Sequence, residues 1–361
     1  MSSEITRLVD ELVAQMKSGS PRGFQKAITQ LGDTARAGGP QALTATVEAL
    51  APWLPSLSGR FAKTAVLAGA CVEWGGSPMA LADFLPQRTA DAMELNALVA
   101  TSWAEAAPGK PLPPPDSAST KPLLRVLTPP AGTLGGVNQR DLTQIVMSWY
   151  DMEDWLKATI TVLARQPFRA AVPATVKAEL RDNAALVGDR SQRAGWVRDL
   201  ASVLDDQQLI VLDPRTRRGY HLTMSGIGDN HQLHILLADR LIGDPDQGLV
   251  PGDRPALSWV EAATDGNPQL GLNNPAIRSF RLFDGHGTYI SPQAVPANIE
   301  PLNSARVVVL HPPNGSFGMA NGRTFENMTP TLSLDRILEP DETESWFTRI
   351  APAVEDDLMA F

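Results

Sequence analysis

The first hundred residues alternate apolar and polar positions with the period of an α-helix. Ile5, Leu8, Leu12 and Met16 recur three or four residues apart with charged residues between them, which predicts an amphipathic helix. Four more short helices are predicted before about residue 105, the second capped by Ser20, with breaks at glycine- and proline-containing pairs. This part of the chain is therefore expected to be almost wholly helical.

Two of these helical stretches resemble each other in sequence. Phe24-Gln25-Lys26 aligns with Phe61-Ala62-Lys63, and Gly38-Gly39 aligns with Gly75-Gly76, both at an offset of 37 residues. A helix–glycine–helix unit near this length is typical of HEAT-like repeats, although alanine-rich helices of similar length can match by chance. Both interpretations predict a helical domain over residues 1–106, with a shape suited to binding.

Prolines concentrate in residues 107–136, where consecutive prolines lack amide donors and favour extended backbone. We predict a linker there, followed by a helical segment over 137–205. Trp149, Tyr150 and Trp155 lie in that segment at helical spacing. An aromatic binding site is one interpretation of this spacing, and a packed core is the commoner one.

Beyond Asp206 the apolar period changes from that of a helix to that of a strand. Gln208–Asp213 and Tyr220–Ser225 flank a turn-rich stretch, which predicts a β-hairpin. A second hairpin is predicted with Asp284-Gly285 as a two-residue turn between strands at Phe280–Phe283 and Gly287–Ile290, with Gly285 at positive φ.

Arg306–Leu310 is predicted as a buried strand, and Glu339–Phe361 as an acidic amphipathic helix. The fold class that follows is α+β: an N-terminal helical domain, in which a HEAT-like repeat is one interpretation, followed by a mixed, β-containing domain over 206–361.

Charge and length narrow the functional classes. The chain has 361 residues and a net charge of −9, so it is a poor candidate for binding nucleic acid or an anionic membrane surface. Its apolar runs are far shorter than the roughly 20 residues of a membrane span. Cys71 is the single cysteine, which indicates a reducing, cytoplasmic setting, and its place on an apolar helix predicts a core residue.

All five histidines lie in the second half of the chain, and three of them define a candidate metal site. His231 and His234 are three residues apart, so a helix places them on one face, and His221 or Asp229 would supply a third ligand. The glutamate of an H-E-x-x-H motif is missing. We expect His221, His231 and His234 to lie apart, and therefore expect no metal and no cofactor.

Phe283-Asp284-Gly285-His286-Gly287 resembles the metal-binding signature of PP2C-type phosphatases. In that family further Gly-Asp and Asp-Asn motifs follow the signature, whereas here Gly188-Asp189 and Asp229-Asn230 precede it. A hairpin turn accounts for Asp284-Gly285 without an ion. The sequence also has no G-x-S-x-G elbow and no Walker motif, so no catalytic residue is assigned.

Two segments carry a wider resemblance. Phe61–Leu81 and Gln208–Leu241 are similar to a loose family of uncharacterised bacterial proteins, some of them encoded beside pathways that modify ribosomally made peptides. The resemblance implies an accessory protein that holds a precursor peptide rather than transforming it, and it implies no site residues.

Two functional hypotheses follow. The first is a non-catalytic accessory protein that binds a peptide or protein partner in a groove or at a sheet edge, in natural-product biosynthesis. The alternative is a metal-dependent enzyme with His221, His231 and His234 as ligands. Homo-oligomers and hetero-oligomers both stay open.

Overall fold

The computed structural model describes residues 2–128, 139–267, 275–277, 279–313, 317–318, 322–323 and 325–354. The chain divides into two compact units, Met1–Ala201 and Ser202–Phe361. The first is helical, and the second is a mixed sheet with helices packed on it, which confirms the predicted α+β fold class.

Ten α-helices of the described residues build the first unit, the last of them ending one residue past its border. They are α1 (Ser2–Ser18), α2 (Pro21–Ala37), α3 (Gly39–Leu50), α4 (Lys63–Glu73), α5 (Leu85–Ala106), α6 (Thr120–Leu127), α7 (Gln139–Leu163), α8 (Gln166–Ala171), α9 (Ala174–Val187) and α10 (Gln192–Ser202). Ser20 caps α2 as predicted, because its Oγ accepts the Gly23 N–H at 3.1 Å. The fourth predicted helix begins at Lys63 instead of Ser58, after a 3₁₀ turn over Gly59–Ala62.

The helices compared as a repeat differ in length. α2 has 17 residues and α4 has 11, while α3 has 12 and α5 has 22. Phe24 and Phe61, which the alignment equates, contact each other edge to face with ring centroids 5.1 Å apart. The helical character of this region is thus confirmed. The two aligned helix pairs, α2–α3 and α4–α5, do not match in helix length.

Residues 107–128, the described part of the predicted linker, are not simply an extended spacer. Helix α6 lies inside it, and Leu123 and Leu127 of α6 are buried in a core with Trp103 and Trp149. The proline-rich stretch before α6 contacts the same core, since the Trp149 indole N–H donates a hydrogen bond to the Pro113 carbonyl at 3.0 Å. Residues 129–136 of the predicted linker lie outside the described residues.

Trp149, Trp155 and Cys71 belong to the core of the first unit, and Tyr150 is half-buried. Trp155 is fully buried, and Trp149 is 7 % exposed, which supports the packing interpretation of that helix. Cys71 is also fully buried, and burial raises the pKa of its thiol to about 12, so the thiolate is disfavoured.

The second unit is built on a six-stranded sheet in the order β4-β6-β1-β2-β8, with β5 paired to β6. Its strands are β1 (Gln207–Asp213), β2 (Arg218–Ser225), β4 (Arg281–Asp284), β5 (Pro301–Leu302), β6 (Ala305–His311) and β8 (Thr331–Ile337), and β3 (Pro275–Ile277) pairs with β7 (Phe317–Gly318). The β1–β2 hairpin and the β6 strand confirm the predictions there. β1 and β6 are parallel, and the other pairs are antiparallel.

Alternate strand residues face two cores. On one face Val211, Tyr220 and Leu222 pack against helix α11 (Asn230–Leu241). The opposite face carries Ile210 and Leu212. It packs against side chains of helix α13 (Pro340–Phe347) and of the chain that follows this helix. A further helix, α12 (Leu257–Thr264), follows α11 along the chain.

The loop around Asp284 corrects three predictions: the length of the turn, the second strand, and the glycine at positive φ. The turn runs from Asp284 to Thr288, because the Asp284 carboxylate accepts the N–H groups of both His286 (2.9 Å) and Thr288 (2.8 Å). The second arm is a single bridge at Tyr289 rather than a strand. Positive φ falls on Gly287 (+80°) and not on Gly285, and a Cβ at Gly287 would lie 2.1 Å from the Pro352 carbonyl oxygen.

The C-terminal helix is shorter than predicted. α13 ends at Phe347, and the chain after it joins the Asp284 loop through the Ala351 N–H, which donates to the Gly285 carbonyl at 3.0 Å. Residues 355–361 of the predicted helix lie outside the described residues. None of the described helices combines the length and the apolar character that crossing a membrane requires.

Candidate functional site

The candidate site is built around α11, whose start is fixed by its own polar residues. The Asp229 carboxylate accepts the Gln232 N–H at 2.9 Å, and the Gln232 side chain in turn accepts the Gly228 N–H at 2.8 Å. Asn230 donates to the Ser291 carbonyl at 2.9 Å. These bonds anchor the helix, so that the side chains of its next turns have defined positions.

A cavity of about 580 Å³ lies beside α11 in the second unit. Its lining comes from α11, from the β1–β2 turn, from the loop that leads to α12, and from the ends of the segments around β4 and β6. Phe280, Leu310 and Trp259 supply apolar surface, and prolines 251, 255, 312 and 313 supply rigid walls. The volume falls within the range of roughly 300–1,000 Å³ that ligand sites occupy.

Two arginines tie the loop before α12 to the rest of the wall. The Arg215 Nη2 donates to the Pro251 carbonyl at 3.3 Å, and the Arg254 Nη2 contacts the Asp239 carboxylate at 3.2 Å. Asp213 is buried, and its carboxylate accepts the Arg215 N–H at 3.1 Å and the Thr216 hydroxyl at 2.7 Å. Asp253 is the second aspartate of the lining. The two aspartates balance the two arginines, so these four residues carry no net formal charge.

His234 is one of two deeply buried ionisable groups of the cavity lining, the other being Asp213. His234 is 4 % exposed, and its Nε2 has no hydrogen-bond partner among the described residues. Burial, together with the nearby His231, lowers the pKa of His234 to about 3. The imidazole is therefore uncharged near neutral pH and keeps both a donor and an acceptor nitrogen.

The structure places the three predicted metal ligands on two sides of the sheet. His231 and His234 share a face of α11, as predicted. His221 alternates with Tyr220 and Leu222, which face α11, so it lies on the other face, where its Nδ1 is 3.0 Å from the Asp335 carboxylate. Within the described residues, no group of three or more His, Cys, Asp or Glu side chains is placed to hold a metal ion.

The other polar clusters singled out by sequence have local partners. Asp335 also accepts hydrogen bonds from the hydroxyls of Thr223 at 2.7 Å and Ser333 at 3.1 Å. These bonds and the His221 contact together lower the pKa of Asp335 although partial burial opposes them. The Asp284 carboxylate is used by the backbone of its own turn, which is a structural role.

Sequence reasoning singled out one residue of this cavity, His234, and missed the rest. Arg215 lies in the arginine-rich turn of the predicted hairpin, and Trp259 lies in the first turn of α12, shortly after a Gly-Asp-Arg-Pro stretch. An aromatic residue after a glycine- and proline-rich loop is a usable signal for a site. His311 could not be placed in the cavity from sequence. It ends β6, and β6 lies beside β1 through a parallel pairing between distant parts of the chain.

Comparisons with protein-family models, with curated proteins and with solved structures found no match to this chain.

Proposed function

We propose that this is a non-catalytic binding protein whose second unit holds an extended peptide in the cavity beside α11. The observation that carries the proposal is the composition of that cavity. It combines aromatic and proline walls with aspartates and arginines in equal number. A peptide backbone is polar without net charge, so it fits a charge-balanced site better than a phosphate or another polyanion does.

One of the two outer strands of the described sheet, β8, is a poor template for strand addition, which favours the cavity as the binding mode. Among the described residues β8 is an outer strand, and it carries the exposed charged residues Asp335 and Arg336. Charged side chains on an edge strand oppose pairing with another strand. Arg336 is also held by a bidentate contact to Glu342, at 2.7 and 2.8 Å.

The proposal includes a setting for this activity. We place the protein in the cytoplasm, as an accessory protein that presents a peptide to modifying enzymes in natural-product biosynthesis. The first unit then acts as a helical, repeat-like scaffold for a protein partner. The net charge of −9 argues against nucleic acid and anionic membranes as partners.

The test uses a filled cavity. Full-length protein is panned against a phage-displayed random heptapeptide library, and the enriched peptides are synthesised with a fluorophore for anisotropy titrations. Ser279 lines the cavity and is half-buried, so Ser279→Trp should fill the space and weaken binding by at least about tenfold, or about 1.4 kcal/mol.

Thr331→Trp is the matched control, because Thr331 is exposed at the start of β8 and does not line the cavity. We expect this variant to bind as the wild type does. Weakening by Thr331→Trp alone would instead assign the peptide to the sheet edge. If no peptide is enriched, or if both variants bind normally, the cavity is not a peptide site.

A further inference from the structure

We infer that His234 is the anchor of this cavity and that it hydrogen-bonds an uncharged amide group of the bound peptide. The inference rests on the proposed function and adds to it the residue that recognises the ligand and the chemical class of the group it contacts. It comes from three observations: the position of the imidazole, the lack of a partner for its Nε2 among the described residues, and the existing contacts of the charged groups in the wall.

The position of His234 sets it apart from ordinary buried histidines. It lies in the second turn of α11 between core residues, is 96 % buried, and still lines the cavity. Buried polar atoms in proteins nearly always have a hydrogen-bond partner, yet the Nε2 has none among the described residues. Because the Nε2 exposes less than 1 Å² in the ligand-free structure, a ligand group in the cavity supplies that partner after a small shift of the ring or of the wall.

Three of the four charged groups of the wall have partners of their own, and the fourth, Asp253, is exposed to solvent. Arg254 contacts Asp239, Arg215 donates to the Pro251 carbonyl, and both Asp213 carboxylate oxygens accept hydrogen bonds within the β1–β2 turn. A carboxylate placed next to His234 would lose its hydration while both lining arginines already have partners, and an ammonium group would meet the solvent-exposed Asp253 rather than a buried carboxylate. An amide loses less, because it carries no net charge.

A neutral imidazole complements an amide in both directions. One ring nitrogen accepts the amide N–H, or the other donates to the amide carbonyl, depending on the tautomer. The low pKa of His234 keeps the ring in this neutral form throughout the physiological range.

His231 provides a matched control on the same helix. Both of its ring nitrogens lack partners among the described residues, and it lies one turn before His234. His231 does not line the cavity. A general effect of removing an unpartnered histidine from α11 would therefore appear in His231→Leu as well, whereas a ligand contact would be specific to His234.

The first experiment uses small probes of defined charge. Full-length protein labelled with ¹⁵N-histidine is titrated with N-acetylglycine N-methylamide, acetate or methylammonium, and long-range ¹H–¹⁵N spectra report the ring nitrogens. The His234 signals are assigned as those that are absent from the spectrum of the His234→Gln variant. We expect the diamide alone to shift the His234 signals, with saturation. Shifts caused by acetate or methylammonium instead, or by none of the probes, would overturn the inference.

The second experiment separates this inference from the proposed function. With the peptides selected above, His234→Leu should weaken binding about three- to tenfold, as expected for one lost hydrogen bond between neutral groups. His234→Gln, whose side-chain amide lies near the position of Nε2, should restore most of the affinity, and His231→Leu should leave it unchanged. If Ser279→Trp abolishes binding while His234→Leu does not weaken it, the peptide site stands and the anchor is wrong.

Discussion

Both units bury ionisable side chains, but they leave them in different charge states. In the first unit Arg88 and Asp151 face each other at 4.0 Å with side chains 9 % and 0 % exposed, and the Arg88 guanidinium lies 4.6 Å from the Trp155 ring. In the second unit His231 and His234 have no acidic hydrogen-bond partner among the described residues, and the pKa of each is lowered mainly by burial.

The difference separates a structural polar site from a recognition site. Arg88 and Asp151 reduce the cost of burial by pairing, and Asp151 gains the Gly59 N–H at 2.7 Å, so their main interactions are directed at each other and at the backbone. His234 reduces the cost by losing its charge, which leaves an uncharged group facing a cavity. The pair also keeps two atoms without partners among the described residues, Arg88 Nη1 and Asp151 Oδ1, so what distinguishes His234 is its neutral ring in the wall of a cavity.

The largest expected effect comes from breaking the buried pair. Asp151→Leu leaves the Arg88 guanidinium without its acid, and Arg88→Met leaves the Asp151 carboxylate without its base, so each should lower the free energy of unfolding by about 3–5 kcal/mol. Urea unfolding followed by tryptophan fluorescence reports this, because six of the eight tryptophans lie within residues 1–201.

The double variant Arg88→Met/Asp151→Leu is the control for this prediction. It removes both charges, so it should be more stable than either single variant. Losses below about 1 kcal/mol in both single variants would mean that the pair is hydrated and that the contrast between the two units is smaller than the structure indicates.

A smaller effect is expected from pH. Burial raises the pKa of Asp151 to about 6, although Arg88 and the Gly59 N–H oppose the shift and Asp154 adds to it. The unfolded side chain has a pKa of about 3.9, so the folded state binds more protons between these values. The contribution of Asp151 to the free energy of unfolding should therefore fall by up to roughly 3 kcal/mol as the pH rises from about 4 to 7.

Asp151→Asn isolates this contribution, because it keeps the shape of the side chain and does not titrate. The difference in unfolding free energy between wild type and Asp151→Asn, measured at intervals from pH 4 to 7, should fall with rising pH. A difference that is flat, or that rises with pH, would show that Arg88 outweighs burial and that the folded Asp151 has an ordinary or lowered pKa.

The elements that sequence predicts best are those whose pattern is local. The β1–β2 hairpin and the capped α2 follow from residue period and end signals, and both are present. Helix α6 was hidden among prolines, although its signals are local: Pro122 lies in the first turn, where proline is tolerated, and Leu123 and Leu127 share a face. The density of proline outweighed these signals.

What sequence could not predict depends on distant contacts. Gly287, not Gly285, takes positive φ, and the chain that leaves no room for a side chain there passes at Pro352, more than sixty residues later. The cavity likewise joins residues that lie as far apart as Asp213 and Pro313 in sequence. Of its lining, the sequence analysis named His234 as a candidate ligand, because the spacing of two histidines on one helix is a local signal.

The smallest expected effect is on the stability of the second unit, and it sharpens the comparison most. If His234 serves a ligand rather than the fold, His234→Leu should change the free energy of unfolding by no more than about 1 kcal/mol, and stabilisation is the expected direction. The substitution removes a buried polar atom without a partner among the described residues and replaces it with an apolar side chain in an apolar core. Differential scanning calorimetry on the ligand-free chain, with Leu310→Ala as a reference for a true core loss of about 2–5 kcal/mol, measures this directly. A loss for His234→Leu as large as that for Leu310→Ala would place His234 with Arg88 and Asp151, as a residue that holds the fold together.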